Sequence, residues 1–180
     1  MSSKRSPGEG KPWGKITWYF IHTFCERINE DFFVKNRENC LNILSSVCSM
    51  IPCPTCREHA TQYLKKNPLN RIVRNKEELK AYFFRFHNQA TLNGNPSARV
   101  EDSSIIDMYK RANFKRIIYA FKAEYMKRTP TRLDYTQTLY AQTILKSVMS
   151  FLYSNQQWFA QTSPPQQSND ERNITMSVTE

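Results

Sequence analysis

Apolar residues recur along the chain at helical spacing. Between positions 13 and 28 they fall three to five residues apart, which places them on one face of an α-helix: Ile16, Phe20, Ile21, Phe24 and Ile28. The same periodicity predicts a second helix over 36–51, ended by Pro52 because proline lacks the N–H that the helical ladder needs. No stretch alternates between apolar and polar residues as a half-buried strand would. The pattern therefore predicts an all-α fold.

Capping residues delimit two further helices. Pro54 suits the first turn of a third helix, which ends at the Asn-Pro pair 67–68. Asn75 followed by Glu78 has the spacing of a helix N-cap with an acidic third position, so a fourth helix begins there. The four predicted helices form a four-helix core over residues 13–95.

Helical spacing continues beyond this core. It covers residues 102–126, with a break near Ala112-Asn113 that divides the stretch into two helices. A last long helix follows Thr129-Pro130, an N-cap and a first helical position. Its predicted apolar stripe consists of Leu139, Tyr140, Ile144, Leu145, Val148, Phe151 and Leu152.

Composition excludes two kinds of nucleotide site. The 180 residues include only four glycines, two of them among the first ten positions. A Walker phosphate loop and a dinucleotide-binding G-x-G-x-x-G both need clustered glycines after a strand. Any nucleotide cofactor must therefore be held in another way.

The chain is basic, with a formal net charge of +10. Such a surface attracts acidic partners, nucleic acid or anionic lipid, although an ordinary solvated surface explains the charge equally well. No run approaches the ~18 apolar residues of a membrane span, and the N-terminus lacks the apolar stretch of a secretory signal. We expect a soluble cytoplasmic protein.

The pair Cys53 and Cys56 is the sharpest candidate for chemistry. It lies at the predicted start of the third helix, where one turn brings the two sulfurs within disulfide reach. The helix N-terminus favours a thiolate on the outer cysteine, as thiol–disulfide exchange requires. Three interpretations stay open: a redox disulfide, half of a zinc site completed by His59 and by Cys48 or another histidine, or two inert core cysteines.

Helices are predicted on both sides of this motif, whereas a thioredoxin-type domain would surround it with strands. A redox-active pair would therefore act within an all-α bundle. Such a bundle could hold a flat redox cofactor, with Trp18, His22 and His87 as ring partners.

A basic stretch with interleaved aromatic residues raises a nucleic-acid hypothesis. Its members are Lys110, Arg111, Lys115, Arg116, Lys122, Lys127 and Arg128, with Tyr109, Phe114, Tyr119 and Tyr125 between them. The simpler interpretation is that the aromatic residues face the bundle while the basic residues face water, and we favour it. We therefore do not expect nucleic acid among the partners.

Three segments resemble motifs of the Erv/ALR family of FAD-linked sulfhydryl oxidases. Residues 13–22 (WGKITWYFIH) resemble its WGxxxWxxxH opening, residues 51–60 (IPCPTCREHA) its CxxC helix, and residues 86–88 (FHN) the start of its HNxVN motif. The motifs occur in the family's order, and the resemblance covers residues 13–112. The segment 52–69 is most similar to the short members from large DNA viruses such as poxviruses and asfarviruses.

The resemblance implies a four-helix bundle with a short fifth helix, extended here by a helical C-terminal segment. Together with the polar composition of both ends and the helical spacing after residue 112, it divides the chain into a flexible lead (1–12), an Erv/ALR-like domain (13–112), a helical extension (113–162) and a disordered tail (163–180).

The resemblance also implies the redox roles of the CxxC pair. Cys53 and Cys56 would form the active-site disulfide. A substrate thiolate would attack Cys53, and Cys56 would lie against the flavin as electron donor and charge-transfer thiolate. Electrons would pass from the flavin to oxygen and yield hydrogen peroxide.

The residues that the resemblance places at FAD are Gly14, Lys15, Trp18, His22, Cys56, His87, Asn88 and Thr91, with no metal. The family's Val and second Asn are replaced by Ala90 and Thr91. Thr91 keeps a hydroxyl that can hydrogen-bond the cofactor, and Asn93 is an alternative after a local shift.

The implied partners follow from the same family. Its members form homodimers and oxidise thiol-containing proteins with oxygen as final acceptor. The chain has no second CxxC, so we expect a separate thioredoxin- or glutaredoxin-like relay protein, in the host cytoplasm or virion if the chain is viral. Cys25, Cys40 and Cys48 are expected in the core. The alternative function is a zinc-stabilised helical module that binds acidic partners or nucleic acid.

Overall fold

The computed structural model describes residues 12–94, 96–97, 109–127 and 135–159. Throughout these ranges the regular structure is helical, apart from one isolated bridge between Ile28 and Phe159. The helices are α1 (Pro12–Arg27), α2 (Glu30–Lys35), α3 (Arg37–Ser49), α4 (Pro54–Lys66), α5 (Leu69–Ile72), α6 (Lys76–Gly94), α7 (Phe114–Met126) and α8 (Tyr135–Ser154). The all-α prediction is confirmed.

Helix starts follow the capping residues of the sequence. The Asn75 side chain accepts a hydrogen bond from the Glu78 N–H at 2.8 Å, as predicted for the start of α6. Asn113 caps α7 in the same way, accepting from the Arg116 N–H at 3.1 Å. The predicted break near residue 112 is therefore confirmed.

The sequence pattern missed α2. Asn29 caps this helix by accepting from the Phe32 N–H at 2.9 Å, and Phe32 and Phe33 are buried. Six residues carry too few apolar positions to establish a period. A local cap signal alone marks its start.

Helix α8 overlaps the predicted last helix, but its exposed face includes two residues predicted in the apolar stripe. Leu145, Val148 and Leu152 are buried, whereas Leu139 and Tyr140 are 43% and 45% exposed. The residues of α8 therefore pack along a narrower stripe than the sequence pattern predicts. The proposed cap at Thr129-Pro130, the N-terminal lead before residue 12 and the tail 163–180 lie outside the described residues.

One apolar core joins the helices on both sides of residue 112. Helix α1 packs against α6 and, more extensively, against α7, while α3 packs against α4 and α8. Phe20 of α1 stacks on Phe121 of α7, with ring centroids 4.3 Å apart and both side chains fully buried. None of the described helices combines the length and apolarity needed to cross a bilayer.

Candidate active site

The CxxC motif forms the N-terminus of α4. Cys53 is the N-cap, Pro54 occupies the first helical position, and Cys53 is disulfide-bonded to Cys56 with their Cα atoms 5.2 Å apart. The Cys56 N–H donates to Cys53 Sγ at 3.2 Å. A backbone donor and the positive helix end therefore face the Cys53 sulfur, an environment that stabilises a thiolate after reduction.

Arg57 fixes the chain that leads into this motif. Its Nη1 donates to the Ile51 carbonyl at 2.7 Å. The contact holds a guanidinium immediately after the disulfide, where its positive charge adds to that of the helix end.

An aromatic and imidazole cluster lies between α1 and α6. Trp18 stacks on His87, with ring centroids 4.1 Å apart and planes 15° apart. His22, one turn after Trp18, is joined to His87 by a hydrogen bond of 3.0 Å between its Nε2 and the His87 Nδ1. The structure therefore brings the three residues predicted as ring partners into mutual contact.

Burial keeps both histidines neutral. Desolvation lowers the pKa of His22 to about 3, with a smaller contribution from the nearby His87, and lowers the pKa of His87 to about 4. A neutral imidazole carries one donor and one acceptor nitrogen. One ring can therefore donate its N–H to the other without placing a charge in the cluster.

Two further rings connect the cluster to α4. Tyr63 lies two turns after Cys56, on the same face of α4. It stacks on Phe86 of α6 at 4.4 Å, and Phe86 meets the edge of Trp18 at 5.4 Å. The sequence did not single out Tyr63, although its seven-residue spacing from Cys56 was a usable signal.

The other residues predicted at the cofactor occupy different environments. Gly14 is buried one turn before Trp18, and Asn88 and Thr91 are half-buried on α6. Lys15, by contrast, is exposed, and its Nζ lies 5.8 Å from the centroid of the Tyr19 ring.

Tyr109 also joins the cluster, from a segment outside the three motifs. Its ring is 3% exposed and stacks on His22 with centroids 4.6 Å apart. Arg27 supports this segment by donating to the carbonyls of Lys110 and Ala112, the latter at 3.0 Å. Periodicity places Tyr109 in a helix stripe but cannot reveal a contact with a residue so distant in sequence.

The zinc interpretation finds no support in the described residues. Cys53 and Cys56 are bonded to each other, and Cys48 is a buried free thiol. No three His, Cys, Asp or Glu groups of the described chain lie close enough together to bind a metal ion.

The donor set of the cluster fits a flat ring cofactor. Trp18 supplies an aromatic face, the neutral His22 and His87 supply hydrogen-bonding nitrogens, and Asn88 adds an amide beside His87. Ligand pockets combine apolar ring faces with a few polar groups in this way.

The chain is similar to proteins of one known family. Residues 15–108 match the model of the Erv1/Alr family. A protein of Invertebrate iridescent virus 3, assigned by its name to the FAD-linked sulfhydryl oxidases, is 31% identical over 78 residues, 43% of this chain and 53% of that protein. An FAD-linked sulfhydryl oxidase of African swine fever virus (isolate Pig/Kenya/KEN-50/1950) is 27% identical over 107 residues, 59% of this chain and 87% of the relative.

A plant protein is also similar. The FAD-linked sulfhydryl oxidase ERV1 of Oryza sativa subsp. japonica is 27% identical over 67 residues, 37% of this chain and 34% of the relative. The match to the iridescent virus protein spans about half of its length. No solved structure gives a significant match.

Proposed function

The chain belongs to the Erv1/Alr family, and from this we propose that it is an FAD-dependent thiol oxidase that forms disulfides in protein substrates. The observation that carries the proposal is the Cys53–Cys56 disulfide at the start of α4. The face of α4 that carries Cys56 continues through Tyr63 and Phe86 to the Trp18 and histidine cluster.

The ring cluster is the proposed FAD site. Trp18 would stack on a ring of the cofactor, while His22, His87 and Asn88 would hydrogen-bond it. Bound FAD would supply a two-electron acceptor for the reduced cysteine pair and pass the electrons to oxygen, which yields hydrogen peroxide. The burial that keeps both imidazoles neutral also excludes water from the rings.

The cysteine pair would perform thiol–disulfide exchange. A substrate thiolate attacks Cys53 Sγ, so a substrate–Cys53 bond forms while the Cys53–Cys56 bond breaks and Cys56 leaves as a thiolate. A second substrate thiolate attacks the substrate sulfur, which releases an oxidised substrate and leaves Cys53 as a thiolate. The helix N-terminus and the Cys56 N–H stabilise these negative charges.

The contacts of α4 support different roles for the two cysteines. Cys56 shares its helix face with the buried Ala60 and with Tyr63, which contacts α6. Cys53 lies at the N-cap, outside the first helical turn. We therefore assign electron transfer toward the cofactor to Cys56 and substrate attack to Cys53.

A separate thiol protein is the proposed electron source. The other three cysteines of the chain, Cys25, Cys40 and Cys48, are buried free thiols. Burial raises the pKa of Cys40 and Cys48 to about 12, so neither is a thiolate at neutral pH. We further propose that a relay protein of the thioredoxin or glutaredoxin type delivers the electrons. The chain would form a homodimer and would act in a host cytoplasm or virion.

Oxygen consumption with a dithiol substrate tests this function. The wild-type chain should consume oxygen and release one hydrogen peroxide for each disulfide formed. Cys53→Ser should abolish turnover, whereas Cys48→Ala, a buried control, should retain it. A flavin-loaded wild-type chain that does not oxidise dithiols would overturn the proposal.

A further inference from the structure

The two faces of α7 have different compositions. The inner stripe is apolar and buried, and consists of Phe114, Ile117, Phe121 and Tyr125. The outer stripe places Tyr119 between Lys115, one turn earlier, and Lys122, one turn later. Packing explains the inner stripe, because it faces α1 and α8. Packing does not explain the outer stripe.

The outer stripe is positively charged. Lys115 and Arg116 are exposed, Lys122 is half-buried, and none of the three forms an ion pair with another described residue. Glu124 is the one acidic residue between positions 109 and 127, and it pairs with Lys127 at 3.5 Å. This side of α7 therefore attracts an anion.

Tyr119 is the most exposed large hydrophobic residue of the described chain, at 76%. The prediction that aromatic residues of this segment face the bundle is right for Phe114 and Tyr125 but wrong for Tyr119. The flanking lysines are about 10 Å apart along the helix axis, with the phenol ring midway. This alternation of cation, flat ring and cation suits a polymer that alternates phosphates with flat bases.

We propose that the outer face of α7, defined by Lys115, Arg116, Tyr119 and Lys122, binds single-stranded nucleic acid. The cations contact phosphates and the Tyr119 ring stacks on an exposed base. In a duplex the base faces are already stacked on one another, so the tyrosine would contribute little. An acidic protein surface would use the cations but offers no regular series of flat bases on which the ring could stack. This face lies outside the proposed redox site and adds a binding function to it.

Binding of a fluorescent oligo-dT to the full-length chain, measured by polarisation over a salt series, tests the proposal. Lys115→Ala/Lys122→Ala should weaken binding at least tenfold and reduce the salt slope by roughly 1.4, about 0.7 for each phosphate lost. Tyr119→Ala should weaken binding roughly tenfold with the slope unchanged, because stacking releases no counterions. Tyr119→Phe should restore binding.

Matched controls come from other exposed residues. Lys65→Ala/Lys66→Ala removes the same charge from the end of α4, and Tyr153→Ala removes an exposed ring from α8. Both should bind like the wild type. Equal binding by Tyr119→Ala and the wild type would overturn the proposal. So would competition by poly-glutamate as effective as that by oligo-dT, which would assign the face to acidic proteins.

Discussion

His22 and His87 share a hydrogen bond of 3.0 Å between Nε2 and Nδ1 across the α1–α6 contact. The His22 ring is buried against Tyr109, and the half-buried His87 ring stacks on Trp18, so both rings have limited access to water. The bond requires one nitrogen to donate and the other to accept, which holds only while at least one ring is neutral. Protonation of both rings would place two positive charges in this apolar cluster.

Acid should therefore destabilise the protein at a pH above the usual carboxyl range. The folded pKa values of about 3 and 4 lie below the ordinary value of 6.5, so the unfolded chain binds protons first. The contribution of the two neutral histidines to the unfolding free energy is therefore present above about pH 6.5 and is lost as the pH falls toward 3. Between pH 6.5 and 5, protonation of the two histidines in the unfolded chain should lower the unfolding free energy by roughly 3 kcal/mol.

Urea unfolding at pH 7.5, 6 and 5 measures this loss. His87→Gln removes one titrating ring while keeping a hydrogen-bonding group, and should have a smaller pH dependence than the wild type. Equal unfolding free energies at pH 7.5 and 5 would show that the histidines are not held neutral.

Loss of the Tyr125 hydroxyl should destabilise the contact between α1 and α7. The Thr17 hydroxyl donates to the Trp13 carbonyl at 2.6 Å, so the Tyr125 hydroxyl donates to Thr17 Oγ1 at 2.8 Å. Tyr125→Phe should lower the unfolding free energy by about 1 kcal/mol. Tyr153→Phe, at an exposed position, should change it by less than about 0.5 kcal/mol. Equal values for the two variants would contradict this account.

Truncation of Phe121 tests whether the residues after 112 share the core. Phe121 is fully buried and stacks on Phe20 of α1. Phe121→Ala should cost about 3–5 kcal/mol, the range for a buried phenylalanine. If the residues after 112 formed an independent unit, Phe121→Ala would unfold that unit first, in a separate transition. Two unfolding transitions would therefore contradict a shared core.

Local signals in the sequence predicted much of the fold. The N-cap of α6 depends on Asn75 and Glu78, and the start of α4 on Cys53 and Pro54. These interactions join residues within one helical turn, so spacing reveals them. The sequence also indicated Trp18, His22 and His87 as residues that could hold a flat cofactor, and the structure brings the three into contact.

Contacts between distant segments could not be predicted in the same way. Tyr109 stacks on His22, and Tyr125 donates to Thr17, yet both tyrosines have the spacing of ordinary core residues. Helical periodicity shows which side of a helix is apolar but not what it packs against. The outward position of Tyr119, by contrast, was predictable, because its spacing places it outside the apolar stripe of α7.

Cys56→Ser should separate cofactor binding from turnover. The serine preserves the start of α4, and the ring cluster that would hold FAD is untouched, so the purified variant should remain yellow. Its dithiol oxidation should fall at least about a thousandfold, because the acceptor disulfide is lost. Cys40→Ala, which alters a buried thiol elsewhere, should keep both colour and activity. Normal turnover by Cys56→Ser would refute the assigned electron path.

The absorption spectrum of the purified protein tests whether this chain is a flavoprotein. We expect a visible flavin band, with FAD released on denaturation in a ratio near one per chain. Trp18→Ala should retain less FAD than the wild type, because its ring stacks on His87 in the proposed site. A wild-type protein that is folded by circular dichroism, remains colourless and takes up no added FAD would contradict the account.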